Sequence, residues 1–248
     1  MPEAGGLPAA DVVVLCGGLG KRLREAVPDR PKPLAEVAGR PFLDILLDFV
    51  SGFGPSRFIL CAGYMGEHIQ EHFARGAAPW REVVISCEDR PLGTAGAVKH
   101  AQKLIRNTPF LVLNGDSLCW TDLAGFWRFH QNHGGWASVV LAPPEEGTDY
   151  GAVSLDSQGR IKDFSEKSGA HTGQHINAGI YLFTTQVLEH LQPGQAASLE
   201  NDVLPELVRA GQAWGWPVKE RVVDIGTPQR YAAAQSLLRT KPTTEKNP

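Results

Sequence analysis

The sequence predicts a single α/β domain with a mostly parallel central sheet. Short apolar runs typical of buried strands alternate along the chain with longer segments of helical periodicity. The chain has 248 residues, 42% of them apolar, and the apolar segments are spread evenly, which favours one large core. We expect residues 1–10 to form a flexible arm, residues 11–239 the domain and residues 240–248 a disordered tail.

The first half of the chain carries the alternating pattern. Four apolar residues from Val12 to Leu15 predict a buried strand, and a glycine-rich turn follows. The segments after that turn read alternately as helix and strand, which predicts parallel pairing with right-handed crossovers. They are predicted as a helix at 41–50, a strand at 57–62, a helix at 64–73, a strand at 82–87, a helix at 96–106, a strand at 110–113, a helix at 123–133 and a strand at 136–141.

The pattern changes in the second half. Short alternating segments at 150–164, with a turn at 156–159, predict a β-hairpin laid over the sheet. A buried strand is predicted at 177–183 and a helix at 199–210. A strand at 218–223 and a closing helix at 228–239 complete the expected domain.

Charge and composition exclude several classes of function. A net charge of −3 gives no broad basic field, so we expect no nucleic-acid and no membrane partner. No apolar run reaches the ~20 residues that span a bilayer, and the N-terminus lacks a signal-peptide pattern, which predicts a cytoplasmic protein. The four cysteines have no CxxC spacing, so they are expected to be small buried residues without a disulfide or zinc.

The turn after the first strand predicts a phosphate-binding loop. Glycines at 17, 18 and 20 allow backbone N–H groups to approach phosphate oxygens. Neither the Walker loop nor the dinucleotide fingerprint fits, because Lys21 is followed by arginine and Leu23 stands where the fingerprint needs glycine or alanine. Such turns are often purely structural. The Pro31-Lys32-Pro33 segment favours the functional interpretation, since two prolines present one lysine rigidly.

Two aspartates are candidate metal ligands. Asp116 follows the strand at 110–113, and Asp224 follows the predicted strand at 218–223. Ligands of open α/β sheets bind at the carboxyl ends of strands, although a lone aspartate there can also be a helix cap.

Other patterns are interpreted as structural. His68 to His72 matches the H-x-x-E-H arrangement of zinc proteases, but no third ligand is evident. His130 and His133 are expected to be solvated or loop residues. The six tryptophans are expected to pack in the core or at its edge.

The stretch from Val12 to Leu43 resembles the signature of the sugar-1-phosphate nucleotidyltransferases: a Gly-Gly-x-Gly turn, a nearby arginine, Pro-Lys-Pro, and Gly39-Arg-Pro-Phe-Leu43. The sequence departs from it at Cys16, where alanine is usual, and at Lys21, where threonine is usual. The resemblance covers roughly residues 11–235 and implies a Rossmann-like, GT-A-like catalytic domain without the C-terminal β-helix of many relatives. The hairpin would then be a sugar-binding subregion.

The resemblance also implies a role for individual residues. The catalytic residues would be Arg22, Lys32 and Lys167, and Asp116 and Asp224 would hold Mg²⁺ between them. The residues that bind nucleotide would be Leu15, Gly17, Gly18, Gly20, Glu88, Gly93 and Thr94. The residues that bind the sugar phosphate would be Asn114, Gly151, Glu166, Asn177 and Gly179.

The expectation for the base rests on Glu88, although a glutamate in such a loop can also be an ordinary exposed residue. A carboxylate only accepts hydrogen bonds, and guanine offers two adjacent donors on one edge, so Glu88 favours GTP over UTP. The phrases around the site are most similar to those of D-glycero-D-manno-heptose 1-phosphate guanylyltransferases of surface-polysaccharide synthesis. Mannose-1-phosphate guanylyltransferases and amino-sugar uridylyltransferases share them, and a non-catalytic sugar-nucleotide-binding regulatory subunit is a further alternative. The expected partners are GTP and a sugar 1-phosphate, and the expected state is a monomer or homodimer.

Overall fold

Strands and helices alternate through the first half of the chain, as the sequence predicts. The protein is described by a computed structural model that covers residues 7, 10–55, 57–74, 82–144, 152–165 and 174–240. The strands are β1 (Asp11–Leu15), β2 (Glu36–Val37), β3 (Arg40–Pro41), β4 (Arg57–Ala62), β5 (Val83–Cys87), β6 (Phe110–Asn114), β7 (Ser117–Leu118), β8 (Ala137–Ala142), β9 (Ala152–Leu155), β10 (Ile161–Ser165), β11 (His175–Phe183), β12 (Ala213–Pro217) and β13 (Val223–Asp224). The α-helices are α1 (Phe42–Ser51), α2 (Gly66–Ala74), α3 (Gly93–His100), α4 (Leu123–His133), α5 (Gln186–Glu189), α6 (Leu204–Arg209) and α7 (Pro228–Thr240). Short 3₁₀ turns lie at Lys32–Leu34 and Ala101–Leu104, and a π-helical turn lies at Leu199–Val203.

Among the described residues the central sheet has nine strands, with β1 near its middle. The order is β10-β9-β11-β6-β1-β4-β5, and β8 pairs with β11 and carries β12 on its other side. The pairs β1–β4, β1–β6, β4–β5 and β8–β12 are parallel, whereas β11 is antiparallel to β6, β8 and β9. This arrangement confirms the α/β class with a mostly parallel sheet. It brings the carboxyl ends of β1 and β6 to one edge, because Leu15 pairs with Asn114.

The hydrophobic core lies on both faces of this sheet. Val12 and Val14 face one apolar cluster and Val13 faces the other, which is the alternation expected of a strand buried on both sides. The first cluster is covered by α1, whose buried residues are Phe42, Leu43, Leu46, Leu47 and Val50. The second cluster is covered by α3 and α6, through Ala95, Val98, Leu204 and Leu207. The site is therefore built on a strand that is held rigidly from both faces.

Several predicted elements differ from the structure. The hairpin of β9 and β10 extends the edge of the sheet rather than lying over it, because β9 pairs with β11. The strand predicted at 218–223 is reduced to β13, and β12 was not predicted. The helix predicted at 96–106 begins at Gly93, and the helix predicted at 199–210 begins as a π-helical turn.

Two side-chain predictions were also wrong. Cys87 is exposed, although Cys16, Cys61 and Cys119 are buried, and none of the four takes part in a disulfide. His130 is buried rather than solvated, and its Nδ1 lies 2.8 Å from the hydroxyl of Ser138. Leu7 and Ala10, in the segment predicted as a flexible arm, are both buried. Within the described ranges, none of the helices is long and apolar enough to cross a bilayer.

Candidate active site

The turn after β1 lies beside the lysine of the Pro-Lys-Pro segment. Gly20 has a positive φ of 56°, and a Cβ built on it would lie 3.4 Å from the Cβ of Lys32. Lys32 begins a 3₁₀ turn in which Leu34 N–H donates to Pro31 O at 2.9 Å, so the flanking prolines fix its backbone as expected. A small pocket lies between this lysine and residues 19–30. Across it, the guanidinium of Arg24 stacks 4.7 Å over the ring of Tyr64 and donates to its hydroxyl.

Lys32 forms an ion pair with Asp116, which is 84 residues away in sequence. Both side chains are only partly exposed, at 17% for Lys32 and 30% for Asp116. Asp116 follows β6, whose neighbour β1 leads into the glycine-rich turn. The parallel sheet therefore brings the predicted phosphate-binding lysine and the first predicted metal ligand together.

The second predicted metal ligand, Asp224, lies beside the first. β13 pairs antiparallel with β7, so that Asp224 is opposite Ser117, and Ile225 N–H donates to Asp116 O at 3.0 Å. Asp224 is 8% exposed. Burial raises the pKa of Asp224, with a smaller contribution from the negative charge of Asp116, while the Gly226 N–H at 2.7 Å opposes the increase. Two carboxylates that repel each other in this way suit a shared divalent cation.

Two arginines add positive charge to the carboxylate cluster. A Cβ built on Gly226 would lie 3.8 Å from Nη2 of Arg22, which places this predicted catalytic residue near the Asp224 turn. Nη1 of Arg230, in the first turn of α7, lies 3.5 Å from Oδ2 of Asp224. The sequence analysis missed Arg230. The only available signal was its position six residues after Asp224.

Glu88 lies against the glycine-rich turn. Glu88 N–H donates to Ala62 O at 3.0 Å, just beyond the paired ends of β4 and β5. A Cβ on Gly17 would lie 3.1 Å from Oε1 of Glu88, and one on Gly63 only 2.6 Å away. Burial raises the pKa of the half-buried Glu88, while the Leu92 N–H that donates to it at 3.3 Å opposes this. The predicted base-reading carboxylate therefore lies beside the predicted phosphate loop.

A third group of polar side chains surrounds the start of β11. Gly179 has φ of 72°, and a Cβ there would lie 2.7 Å from Nδ2 of Asn114 and 2.9 Å from Oγ of Ser117, so only glycine fits. The register of β11 against β8 shifts between Asn177 and Tyr181, an irregularity of the kind found beside functional sites. Oδ1 of Asn114 is buried and finds no hydrogen-bond partner among the described residues. Asn114, a predicted sugar-phosphate contact, therefore lies beside Gly179 with one acceptor unsatisfied.

Comparison with known proteins identifies the family. The family model described as "Nucleotidyl transferase" matches residues 11–241, which include every group described above. The chain belongs to this nucleotidyl transferase family. The family resemblance of the sequence is thereby confirmed.

Individual relatives are similar across the whole domain. Mannose-1-phosphate guanylyltransferase catalytic subunit beta of Drosophila melanogaster is 33% identical over 91% of the chain and 62% of its own length. Mannose-1-phosphate guanylyltransferase of Mycobacterium tuberculosis is 32% identical over 92% of the chain and 64% of its own length. The chain thus spans less than two thirds of these curated relatives. The crystal structure of HddC from Yersinia pseudotuberculosis has a TM-score of 0.81 and 30% identity, covering 92% of this chain and 99% of that one, and a second structure contains GMP-PN.

The other residues predicted to form the site of this nucleotidyl transferase are spread over several segments, some of them outside the described residues. Leu15 ends β1, and a Cβ on Gly18 would meet nothing within 4 Å. Gly93 and Thr94 begin α3, where a Cβ on Gly93 would lie 2.4 Å from Ala197 O, so packing also accounts for that glycine. Lys167, Gly151 and Glu166 lie outside the described residues. His72, the second histidine of the H-x-x-E-H pattern, forms a hydrogen bond through Nε2 with Oδ1 of Asp44 at 2.8 Å. In the described ranges, no cluster of three or more potential metal ligands is found.

Proposed function

We propose that this nucleotidyl transferase moves GMP from GTP to a sugar 1-phosphate and releases pyrophosphate. The observation that carries the proposal is the cluster of Lys32, Asp116 and Asp224 beside the glycine-rich turn. Lysine beside a glycine turn suits a triphosphate, and paired carboxylates suit a divalent cation. The similarity to mannose-1-phosphate guanylyltransferases and the GMP-PN in the HddC structure support guanine as the base.

The chemistry needs no covalent enzyme intermediate. An oxygen of the sugar 1-phosphate attacks the α-phosphorus of GTP in line, a new P–O bond forms, and the bond to the β-phosphate breaks. Pyrophosphate leaves with the bonding electrons, and GDP-sugar is the product. Lys32 and Arg22 would neutralise the charge that develops on the leaving group, while Lys167 would hold the attacking phosphate.

The carboxylates fit a magnesium ion. Asp116 and Asp224 supply oxygen ligands, and the raised pKa of Asp224 reflects a buried charge that a cation would stabilise. Magnesium typically takes one or two carboxylates together with substrate phosphates, which agrees with two aspartates. Bound there, Mg²⁺ would polarise the α-phosphate and neutralise phosphate charge.

Glu88 would select the base. A carboxylate whose oxygens accept hydrogen bonds complements the N1–H and exocyclic amine of guanine. Uracil presents a single donor between two acceptors, which a carboxylate would repel. The half-buried position of Glu88 beside Gly17 strengthens this discrimination, because a less solvated carboxylate discriminates more sharply between donors and acceptors.

We place D-glycero-D-manno-heptose 1-phosphate first as the acceptor sugar, because of the resemblance of the sequence phrases. The product, GDP-heptose, would serve capsule or surface-polysaccharide synthesis in the cytoplasm. Mannose 1-phosphate is the second candidate, supported by the names of the curated relatives. The proposed state is a monomer or homodimer, which light scattering after size-exclusion chromatography would distinguish.

The test is a grid of pyrophosphate-release assays. Purified protein with Mg²⁺ is given GTP, UTP, ATP, CTP or dTTP with heptose, mannose, glucose or N-acetylglucosamine 1-phosphate. We expect release with GTP and the heptose phosphate, and none after Mg²⁺ is removed by EDTA. Release with GTP and mannose 1-phosphate would reassign the sugar, and release with UTP and an amino sugar would overturn the assignment of the base. Nucleotide binding without release in any combination would favour the regulatory alternative.

A further inference from the structure

A line of hydrogen bonds joins the start of β11 to the start of α3 through one carboxylate, Glu200. Nδ2 of Asn177 donates to the hydroxyl of Tyr181 at 2.8 Å, and that hydroxyl donates to Oε1 of Glu200 at 3.2 Å. The other oxygen, Oε2, accepts from the hydroxyl of Thr94 at 2.8 Å. Asn177 is the predicted sugar-binding residue and Thr94 belongs to the predicted nucleotide loop. Glu200 therefore connects the two halves of the proposed site.

The chemistry of Glu200 fixes the direction of these bonds on the sugar side. An ionised carboxylate only accepts, so the Tyr181 hydroxyl has to donate to it, and its oxygen is left to accept from Asn177. The amide of Asn177 is then oriented with Nδ2 toward Tyr181 and Oδ1 toward Gly179 N–H, at 3.0 Å. One N–H and one oxygen lone pair of Asn177 remain for a ligand hydroxyl. The orientation of a predicted sugar contact thus depends on a carboxylate that is remote from it in sequence.

On the nucleotide side, the same carboxylate determines the orientation of the Thr94 hydroxyl. Leu199 N–H donates to Oγ1 of Thr94 at 2.7 Å, so the hydroxyl hydrogen of Thr94 is directed to Glu200. Ala95 N–H donates to Ala197 O at 2.9 Å, which attaches the first turn of α3 to the segment that leads into Glu200. These hydrogen bonds attach the loop before α3 to the segment that contains Glu200. The same loop contains Leu92, whose N–H donates to Glu88.

The local backbone around Glu200 is unusual. Glu200 lies in the π-helical turn Leu199–Val203, and such turns occur frequently at functional sites. The hydroxyl of Ser198 donates to Oε2 of Glu200 at 3.0 Å and also caps the turn, accepting from Glu200 N–H at 3.2 Å. Three hydroxyl groups thus donate to the carboxylate. In the described part of the chain no lysine or arginine forms an ion pair with it, and its side-chain partners there are these three hydroxyl groups.

We propose that Glu200 is a positioning residue that couples the nucleotide and sugar-phosphate subsites. This inference rests on the proposed function, because it needs nucleotide at the loop before α3 and sugar phosphate at β11. When nucleotide orders the loop, Thr94 and Glu200 fix the hydroxyl of Tyr181 and hence the amide of Asn177. Each substrate then binds more tightly when the other is present.

The test compares three variants with one control. Glu200→Gln replaces an acceptor-only group with one that must donate at one end. Tyr181→Phe removes the link to Asn177 while keeping the buried ring, which stacks at 5.5 Å on Phe183. Thr94→Val removes the link to the loop. Glu206→Gln, at an exposed position in the first turn of α6, makes the same charge change outside the network.

Two measurements follow, one with and one without turnover. Initial rates are measured over a matrix of GTP and the sugar 1-phosphate that the wild type uses best. Amide hydrogen exchange of peptides that cover residues 175–183 is measured with and without the GTP analogue GMP-PNP, and without sugar 1-phosphate so that no transfer takes place. Melting temperatures show that each variant is folded.

Coupling through Glu200 predicts a distinct pattern. Glu200→Gln should raise KM for the sugar phosphate about tenfold and KM for GTP about threefold, since hydrogen bonds to a charged group are lost. Tyr181→Phe should raise mainly the first KM and Thr94→Val mainly the second. GMP-PNP should slow exchange at 175–183 in the wild type and in Glu206→Gln, but not in folded Glu200→Gln.

The failures of the two proposals can be told apart. Unchanged KM values and retained protection of 175–183 in folded Glu200→Gln would overturn the coupling while leaving the proposed transferase intact. Wild-type protein that binds GMP-PNP but releases no pyrophosphate would overturn the transferase, and its exchange data would still decide the coupling. Failure of the wild type to bind GMP-PNP would overturn both. If Glu200→Gln does not fold, the single-link variants Tyr181→Phe and Thr94→Val decide the question.

Discussion

The ammonium group of Lys32 is paired with the carboxylate of Asp116. This ion pair joins the rigid Pro-Lys-Pro turn to the carboxyl end of β6. It holds the lysine beside the proposed site, and it places a positive charge next to one of the two carboxylates. Under the proposed function, a metal–triphosphate complex would therefore have to exchange partners with Lys32.

Lys32→Ala should remove catalysis with little effect on stability. Turnover should fall by about 10²–10³-fold, because a cation that stabilises developing phosphate charge is lost. The free energy of unfolding should change by less than about 1 kcal/mol, because a partly exposed ion pair contributes little. Pyrophosphate release and urea denaturation measure the two effects. Lys103→Ala, an exposed lysine on a 3₁₀ turn, is the control, and near-normal turnover of Lys32→Ala would reject the assigned role.

Glu88→Gln should weaken the choice of base. A glutamine amide can both donate and accept, so it no longer repels the acceptors of uracil and loses part of its attraction for the two guanine donors. The ratio of kcat/KM for GTP to that for UTP should fall about 10–100-fold. Asp89→Asn, the exposed neighbouring residue, makes the same charge change and should keep the wild-type ratio. An unchanged ratio in Glu88→Gln would show that the base is read elsewhere.

Asp224→Asn should separate activity from stability. Burial, with a smaller contribution from Asp116, raises the pKa of Asp224 above its value in the unfolded chain. The free energy of unfolding therefore decreases as pH rises through that folded-state pKa. At neutral pH the ionised Asp224 lowers the stability of the protein. The asparagine variant should melt at or above the wild-type temperature at pH 7, while turnover falls by at least about 10²-fold. Calorimetry and the release assay test this, with exposed Asp163→Asn as control. A clear loss of melting temperature would contradict it.

His130 should make the protein sensitive to mild acid. Burial, helped by the nearby His133, lowers the pKa of His130 to about 4, from 6.5 in the unfolded chain. The unfolded state therefore takes up the proton first, and stability present above pH 6.5 is lost as pH falls toward 4. The expected loss is about 3 kcal/mol.

Urea titrations at pH 7 and pH 4.5 measure this dependence. His130→Asn retains a hydrogen-bonding group near Ser138 and should show a smaller difference between the two pH values. His68→Asn, on the half-exposed face of α2, should behave as the wild type. Equal pH dependence in all three proteins would mean that His130 is not responsible.

Elements with strong local signals were predicted closely. β4 and α4 have the predicted bounds, and α4 shows why: Asp122 caps its first turn through Gly125 N–H at 2.9 Å, and Gly134 ends it with φ of 66°. β12 was missed because its Ala-Trp-Gly-Trp-Pro sequence carries weak local strand signals, and pairing with β8 determines its conformation. The start of α3 was misplaced because hydrogen bonds to Ala197, far along the chain, stabilise its first turn.

In the candidate site, too, residues in local motifs were predicted and residues placed by distant contacts were missed. Lys32, Asp116 and Glu88 stand in local motifs whose residue types suit phosphate, metal and base, and the structure brings them to one edge of the sheet. Arg230 and Glu200 have no such local motif. Their approach to Asp224 and to Tyr181 depends on the packing of α7 and on the π-helical turn, which sequence spacing does not encode.

The place of β1 in the sheet has a consequence for synthesis on the ribosome. β1 precedes both of its neighbours in the sheet, β4 and β6, along the chain, and Asp224 follows much later still. The hairpin of β2 and β3 also gains two hydrogen bonds only when α7 emerges, because Tyr231 and Gln235 donate to Glu36 O, each at 2.6 Å. A nascent chain therefore cannot assemble both carboxylates and the lysine turn until nearly all of the domain has left the exit tunnel.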